Sequence, residues 1–387
     1  MKSKKPIIIA ILIAAFLLPL WMWLAWLLTS KKKMIAVIVD KTVEMPAASQ
    51  HTSFTWVLNN QRFTKSKSNL YKNSNDYFGF FPLKDEKFRV KGLERFSTEM
   101  LEKLSNDADL VYFTDTYGVY KNDWYKKTKA EGEGKIYGGM SEQDIQLLEM
   151  MKAKHKLIIS EFNTIGSPTS DKIREDFETL FGLKWSGWIG RYFSSLDTSN
   201  NTDLPQWIVK NYEKNNNEKW HFHHAGIAFI NTDEKVIILE EGKELRSALP
   251  IINSSETTQK KYGLPAQTPY SSWFDVMQYD SSVNTPIANF TLSATAAGKE
   301  ILKKNNIPGQ FPAILIHNNL DYRFSYFSGN FCNNPISMTS SYFKGIGILN
   351  NLFYPSANEN NDHNFFWNFY KPLMTEITSD YYQSLKN

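Results

Sequence analysis

Cysteine is almost absent: the 387-residue chain has one, Cys332. An internal disulfide is therefore excluded, and so is a lipid-modified cysteine near the N-terminus. Positive charge is scarce outside the start of the chain. Six of the 44 lysines and arginines (Lys2, Lys4, Lys5, Lys31, Lys32 and Lys33) lie in the first 33 residues, which hold no acid; the other 38 face 40 acids. A body with that balance lacks the electrostatic footprint of a nucleic-acid binder, so no nucleic-acid partner is expected. Three common catalytic signatures are missing too: there is no G-x-S-x-G, no H-E-x-x-H and no glycine-rich phosphate loop. Gly132-Glu-Gly134 and Gly345-Ile-Gly347 lack the strand-to-helix setting a phosphate loop needs. What is present is a hydrophobic fraction of 42%, enough for a substantial core.

Charge is also absent from residues 7–28. At about 1.5 Å per residue this run reaches roughly 33 Å, against a bilayer core of about 30 Å. Pro19 lies inside it, as membrane helices tolerate, and Trp21, Trp23 and Trp26 gather toward one end, where indoles favour the interface. The run ends Trp26-Leu-Leu-Thr-Ser-Lys31, without the small-x-small site of a cleaved signal. Residues 1–33 thus read as a cytoplasmic tail and an uncleaved single-pass anchor, with the lipid bilayer as partner. A short N-terminal tail before a large body favours a cell-membrane protein whose body is extracytoplasmic.

Beyond the anchor, Met34-Ile-Ala-Val-Ile-Val-Asp40 reads as a strand buried on both faces. Residues 59–76 read as an exposed loop. Residues 92–104 predict a helix with Leu93, Phe96, Met100, Leu101 and Leu104 inward. Asp109-Leu-Val-Tyr-Phe-Thr114 and Lys156-Leu-Ile-Ile-Ser-Glu161 read as strands, with a capping box from Ser141 to Asp144 opening a helix between them. Residues 167–170 cap another helix that Gly182 stops. Residues 225–230 and 235–239 read as an antiparallel or mixed sheet edge. Strands alternating with helices imply βαβ units. The fold class is α/β: a doubly wound, mostly parallel, flavodoxin-like sheet over 34–250. Residues 251–387 form a C-terminal α+β lobe or an extension of the same sheet, with Pro372 interrupting an aromatic helical region.

In doubly wound sheets ligands sit beyond the carboxyl ends of the strands. That rule selects Asp40, Asp115 and Glu161. Glu161 ends an apolar strand, where low dielectric raises a carboxyl pKa and suits acid/base work; the alternative is a carboxylate held by backbone amides. Asp115 has the same two readings, and the pair would suit glycoside chemistry if it converged. Trp185-Ser-Gly-Trp188-Ile-Gly-Arg191-Tyr192-Phe193 reads as an aromatic loop in which Trp185, Trp188, Arg191 and Tyr192 would bind a sugar face. His221 and His223 share a strand face, a weak metal pattern that reads better as a solvated edge, so no metal or cofactor is expected. Cys332 reads as a buried inert thiol, with His317 and His363 distant in sequence.

The order of elements from Ile35 to Leu239 resembles the class I glutamine amidotransferase-like fold. It is most similar to the non-glutaminase branch that contains trehalose-utilisation-type proteins and the domain appended to some β-galactosidases. The carrying residues are Ile35–Asp40, Asp109–Asp115, the Gly139/Ser141 helix entry, Lys156–Glu161 and the late strand-turn at 322–331. A glutaminase needs a cysteine on the elbow after the strand ending at Glu161; here Phe162-Asn163-Thr164 follows. The resemblance therefore implies sugar-related binding or processing without the amidotransferase triad. The expected function is an envelope-anchored protein that binds or helps process carbohydrate, with a polysaccharide ligand. The alternatives are a glycoside hydrolase using Glu161 and Asp115, or a structural subunit of a membrane complex.

Overall fold

The computed structural model describes residues 5–43, 49–125, 134–199, 201–317, 319–353 and 362–386; for 5–16, 350–353 and 362–363 it describes the backbone alone. The Gly132 position and the side chains of His363 and of residues 7–16 lie outside that description.

The strands of the main sheet are β1 (Ala36–Asp40), β2 (Phe78–Pro82), β3 (Phe88–Lys91), β4 (Leu110–Asp115) and β5 (Leu157–Glu161). After a second sheet, made of β6 (Leu183–Phe193), β7 (Gly226–Asn231), β8 (Val236–Glu240) and the later β11 (Trp273–Tyr279), it resumes. Its remaining strands are β9 (Leu245–Ser254), β10 (Gln267–Pro269), β12 (Asn284–Ala294), β13 (Gln310–His317) and β14 (Arg323–Phe327). The ten-stranded order is β10-β9-β12-β13-β14-β5-β4-β1-β2-β3. From β14 to β2 every pairing is parallel, and both flanks are antiparallel, so the sheet is mixed. Residues 251–387 supply strands to this same sheet, and position 250/251 falls inside β9.

The parallel strands are apolar runs because both of their faces are covered. Val37, Val39, Val111, Phe113 and Ile158 point to one side, where α3 (Thr98–Asp107), α4 (Glu142–Ala153) and α5 (Asp171–Phe181) pack with Leu101, Leu148 and Phe177. Ile38, Leu110, Tyr112 and Ile159 point to the other, against α2 (Thr52–Asn60) and the C-terminal helix α8 (Lys371–Ser384). Ser141 caps α4 as expected: its hydroxyl accepts from Asp144 N at 3.2 Å, and Asp144 Oδ2 accepts from Ser141 N at 2.7 Å. Gly182 ends α5 at φ 64°, a left-handed conformation that a residue without Cβ adopts at little cost.

Several expectations differ. The helix expected over 92–104 divides: a 3-10 turn at Leu93–Arg95, then α3 capped by Ser97, which leaves Met100 exposed. Hydrogen bonding of the Ser97 hydroxyl to Met100 N outcompetes helical continuity there. Within 59–76, Asn59 and Asn60 end α2 and Tyr71 is buried, its hydroxyl bonded to Met34 O. Strands β7 and β8 edge the second sheet, in the order β8-β7-β6-β11, where α6 (Gln206–Asn216) covers them. Pro372 does not interrupt the helical region: five π-helical residues, Phe366–Tyr370, run directly into α8, and Pro372 stands in its first turn.

At the N-terminus, α1 spans Lys5–Leu28. Among the described residues no helix is long and apolar enough to cross a membrane. The transmembrane reading of 7–28 stands as a proposal. The end of α1 is docked on the body. Trp26 is buried, its indole donating to Asn59 O at 2.9 Å, while Trp21 and Trp23 are exposed. Arg62 Nη1 donates to Trp26 O, Leu27 O and Thr29 O, a cation closing the carbonyl end of the helix.

Candidate functional site

Because β1, β4, β5 and β14 run parallel, their carboxyl ends share one edge of the sheet. Asp40 and Asp115 are register partners on adjacent strands, and Glu161 pairs with Phe327 at the end of β14. The three sequence-selected carboxylates are thus brought to one edge, but each is already engaged.

Asp115 Oδ1 accepts from the Thr42 hydroxyl at 2.7 Å, from Tyr117 N at 2.6 Å and from Asn163 Nδ2 at 3.5 Å. Burial lifts its pKa to about 7, with the Asp40 charge adding to the rise and those donors opposing it. Glu161 points into the interior beside α8. Its Oε2 accepts from Cys332 N at 2.8 Å and its Oε1 from the Tyr112 hydroxyl, which also contacts the Tyr370 hydroxyl at 2.9 Å. Burial raises Glu161 to about 7 against these hydrogen bonds. The turn after β5 holds Asn163 at φ 64°, with no thiol on it. Asn is among the residues that tolerate that conformation.

Three participants escaped the sequence reading. Asp275 sits in β11 with Oδ2 accepting from the Tyr326 hydroxyl at 2.7 Å and Oδ1 buried without a partner among the described residues; burial holds it at about 7. The signal was a lone acid in the apolar string Trp273-Phe-Asp-Val-Met277. Lys41, fully buried, donates to Asp144 Oδ2 at 2.6 Å, to Gly139 O at 2.9 Å and to Glu94. Burial alone would lower its pKa, but Asp144 and Glu94 reverse that and raise it. His51 binds Asp40 Oδ2 through Nδ1 at 2.7 Å and Asn73 O through Nε2 at 2.7 Å. A carbonyl only accepts, so Nε2 carries a proton. Nothing in the local sequence marked His51, because its partner Asn73 is a loop residue.

Cys332 Sγ lies 3.4 Å from Asn330 Oδ1 and 3.6 Å from Gln50 Oε1. Burial and the Glu161, Asp115 and Asp40 charges push its thiol well above the ordinary range. His317 is engaged elsewhere, with Asp321 Oδ1 at 2.6 Å and Val283 O at 2.8 Å.

The aromatic stretch expected as a loop is strand β6. Pairing with β7 and β11 accounts for the difference: the run is held in ladders on both sides, with a bulge between Trp185 and Ile189. Trp185 and Trp188 are 8% and 7% exposed, and the Trp185 indole donates to Trp188 O at 2.9 Å. The Arg191 guanidinium lies over Phe193 and Trp273, at 4.9 and 5.5 Å, and Tyr192 packs against the core. The hydrogen bonds of Trp185 and Trp188 go to Glu178, Ser186 and each other. His221 and His223 are exposed; the amides of His223 and His224 donate to Glu240 Oε1.

A cavity of about 250 Å³ opens where β1 and β2 end, lined in part by Ser49, His51, Asn73, Tyr77, Phe81 and Arg89. Its wall is a stack. The His51 ring lies 4.3 Å from Tyr77, Tyr77 is stacked 4.1 Å from Phe81, and the exposed Arg89 guanidinium lies 4.8 Å over Phe81. Asn73 Nδ2 donates to Ser49 Oγ at 2.9 Å and Thr52 Oγ1 at 3.0 Å. The Thr52 hydroxyl proton goes to Ser49 O, which fixes which end of the amide faces it. Asn73 Oδ1 is thereby left buried with no donor among the described residues.

No protein-family model matches the chain, and no curated protein matches it. Among solved structures it is similar to a ThuA-like protein from Bacteroides uniformis, at 10% identity over 87% of this chain and 97% of that one, TM-score 0.35. A glutamine amidotransferase from Thermotoga maritima matches at 10% identity over 90% and 98%, TM-score 0.35. A carbohydrate deacetylase matches at 11% identity over 77% of this chain, TM-score 0.33, and the chain spans 30% of its length. The mixed α/β class rests on the strand order itself.

Proposed function

We propose that this is a single-pass, membrane-anchored α/β protein whose extracytoplasmic body binds envelope carbohydrate and does not hydrolyse glutamine. The seat is the cavity at the ends of β1 and β2. The observation that carries the reading is the make-up of the cavity wall, where Ser49, Asn73, Ser74 and Asn75 stand beside the exposed Arg89 guanidinium. Sugar hydroxyls pair with amide and hydroxyl side chains and with a guanidinium, which is the set of groups this wall presents.

A second reading, glycoside hydrolysis, is favoured by one observation: Asp115 and Glu161 both lie near 7, as a general acid requires. Against it, both Glu161 oxygens are held by Cys332 N and Tyr112 inside the core. Reducing-sugar release from a polysaccharide panel, abolished in Asp115→Asn, would establish hydrolysis.

The binding reading is tested by presenting the detergent-solubilised full chain to a glycan array. Asn73→Ala and Arg89→Ala are expected to weaken binding about tenfold, the value of one charge-assisted or buried hydrogen bond. Glu161→Gln is expected to leave it unchanged. Absence of binding to every glycan overturns the reading.

A further inference from the structure

Five cations gather where α1 meets the body. Lys32 N bonds Arg62 O at 3.0 Å, and Arg62 in turn closes the end of α1. Lys32 and Lys386 both lie over the Tyr382 ring, at 5.8 and 4.7 Å. Lys344 N donates to Met22 O at 3.1 Å, and the neighbouring Tyr342 ring packs edge-on against Trp26 at 5.0 Å. Lys371 lies over Trp367, and a Cβ on Gly347 would meet Trp367 at 3.1 Å and Lys371 Nζ at 3.6 Å. Among the described residues none of the five cations joins an ion pair, and Arg62 Nε is buried without a partner. Burial, then Lys32, Lys371 and Arg62, lower Lys344 to about 8. An uncompensated group of this kind calls for an anion.

The surface around it says which anion. Met22 stands six residues before Leu28, which is about 9 Å up the apolar helix. The segment that touches Met22 continues into α7 (Ile346–Phe353), so body residues flank α1 at a depth where the helix is still apolar. Leu28 is 82% exposed, Ile348 76% and Trp21 58%. Exposed apolar side chains beside unpaired cations match a lipid: acyl chain on one side, phosphate on the other.

We propose that Lys32, Lys344, Lys371 and Lys386, gathered around the end of α1 that Arg62 closes, bind the phosphate of an anionic phospholipid headgroup and so seat the body against the membrane. The proposal rests on the membrane reading of α1.

The test is thermal unfolding of the full chain in a neutral detergent, with added dihexanoyl-phosphatidylglycerol, dihexanoyl-phosphatidylcholine or inorganic phosphate. The glycerol lipid is expected to bind about tenfold more tightly than the choline lipid, and salt is expected to erode the difference. Lys344→Glu with Lys371→Glu is expected to abolish the preference; Lys386→Glu, at an exposed position, weakens it without threatening the fold. Equal stabilisation by both lipids overturns the proposal. Equal protection by inorganic phosphate also overturns it, in favour of a small-anion site. Carbonate extraction of membranes from expressing cells judges the anchor separately. A retained chain without headgroup preference sinks the headgroup site alone. A released chain that keeps the preference sinks the anchor alone.

Discussion

The backbone N–H of Cys332 donates to Glu161 Oε2 at 2.8 Å across 171 residues of sequence. That bond joins the end of β5 to the turn after β14, and it turns the Glu161 carboxyl away from the solvent side of the sheet edge. It also places the thiol beside three carboxyls that disfavour a thiolate.

Cys332 is therefore expected to be inert while the chain is folded. Ellman's reagent at pH 7 should react with less than about a tenth of the thiol in native protein and with all of it in guanidinium. Fast reaction in the native state would show that the thiol is open and activated.

Glu161, Asp115 and Asp275 each sit near 7, above the ordinary carboxyl values of about 4. Between those limits the folded chain holds protons that the unfolded chain has released. Stability from these groups is complete below about pH 4 and is lost as pH rises through 7. The apparent Tm is expected to be at least about 5 °C higher at pH 5 than at pH 8. Asp275→Asn should shrink that gap, because it removes one of the three carboxyls whose burial raises the pKa. A Tm that rises with pH over this range contradicts the assignment.

Lys41 and Asp144 form a pair buried on both sides, 2.6 Å apart. Lys41→Met leaves Asp144 charged in the core and should cost about 3–5 kcal/mol in urea unfolding. Adding Asp144→Asn should restore part of that loss, since it removes the stranded charge while keeping an acceptor for the Ser141 amide at the start of α4. A double variant no more stable than the single one would assign the cost to packing instead.

Trp188 belongs to the core, so Trp188→Ala should destabilise by about 3–5 kcal/mol. Urea unfolding measures this directly. Unchanged stability with lost glycan binding would return Trp188 to the ligand-binding role its sequence context suggested.

The strands at 36–40, 110–115 and 157–161 were legible because a strand buried on both faces must be a short continuous apolar run. The capping box at Ser141 was legible because its two hydrogen bonds span only three residues. The Trp185–Phe193 stretch was misread because density of aromatics and glycines describes a loop and a bulged strand equally well; pairing with β7 and β11 decides between them. Asp275, Lys41 and His51 were missed because each owes its setting to partners far along the chain.

Sequence alone determined the apolar N-terminal run, the lone cysteine, the alternation of strands with helices and the missing elbow thiol, all properties of local spacing and composition. Tertiary structure decided which acids are sealed, which indoles lie in the core, where the cavity opens and which cations stand unpaired around α1. Those outcomes depend on burial and on hydrogen bonds between distant segments, and a charge's pKa and accessibility follow from its surroundings rather than from its neighbours in sequence.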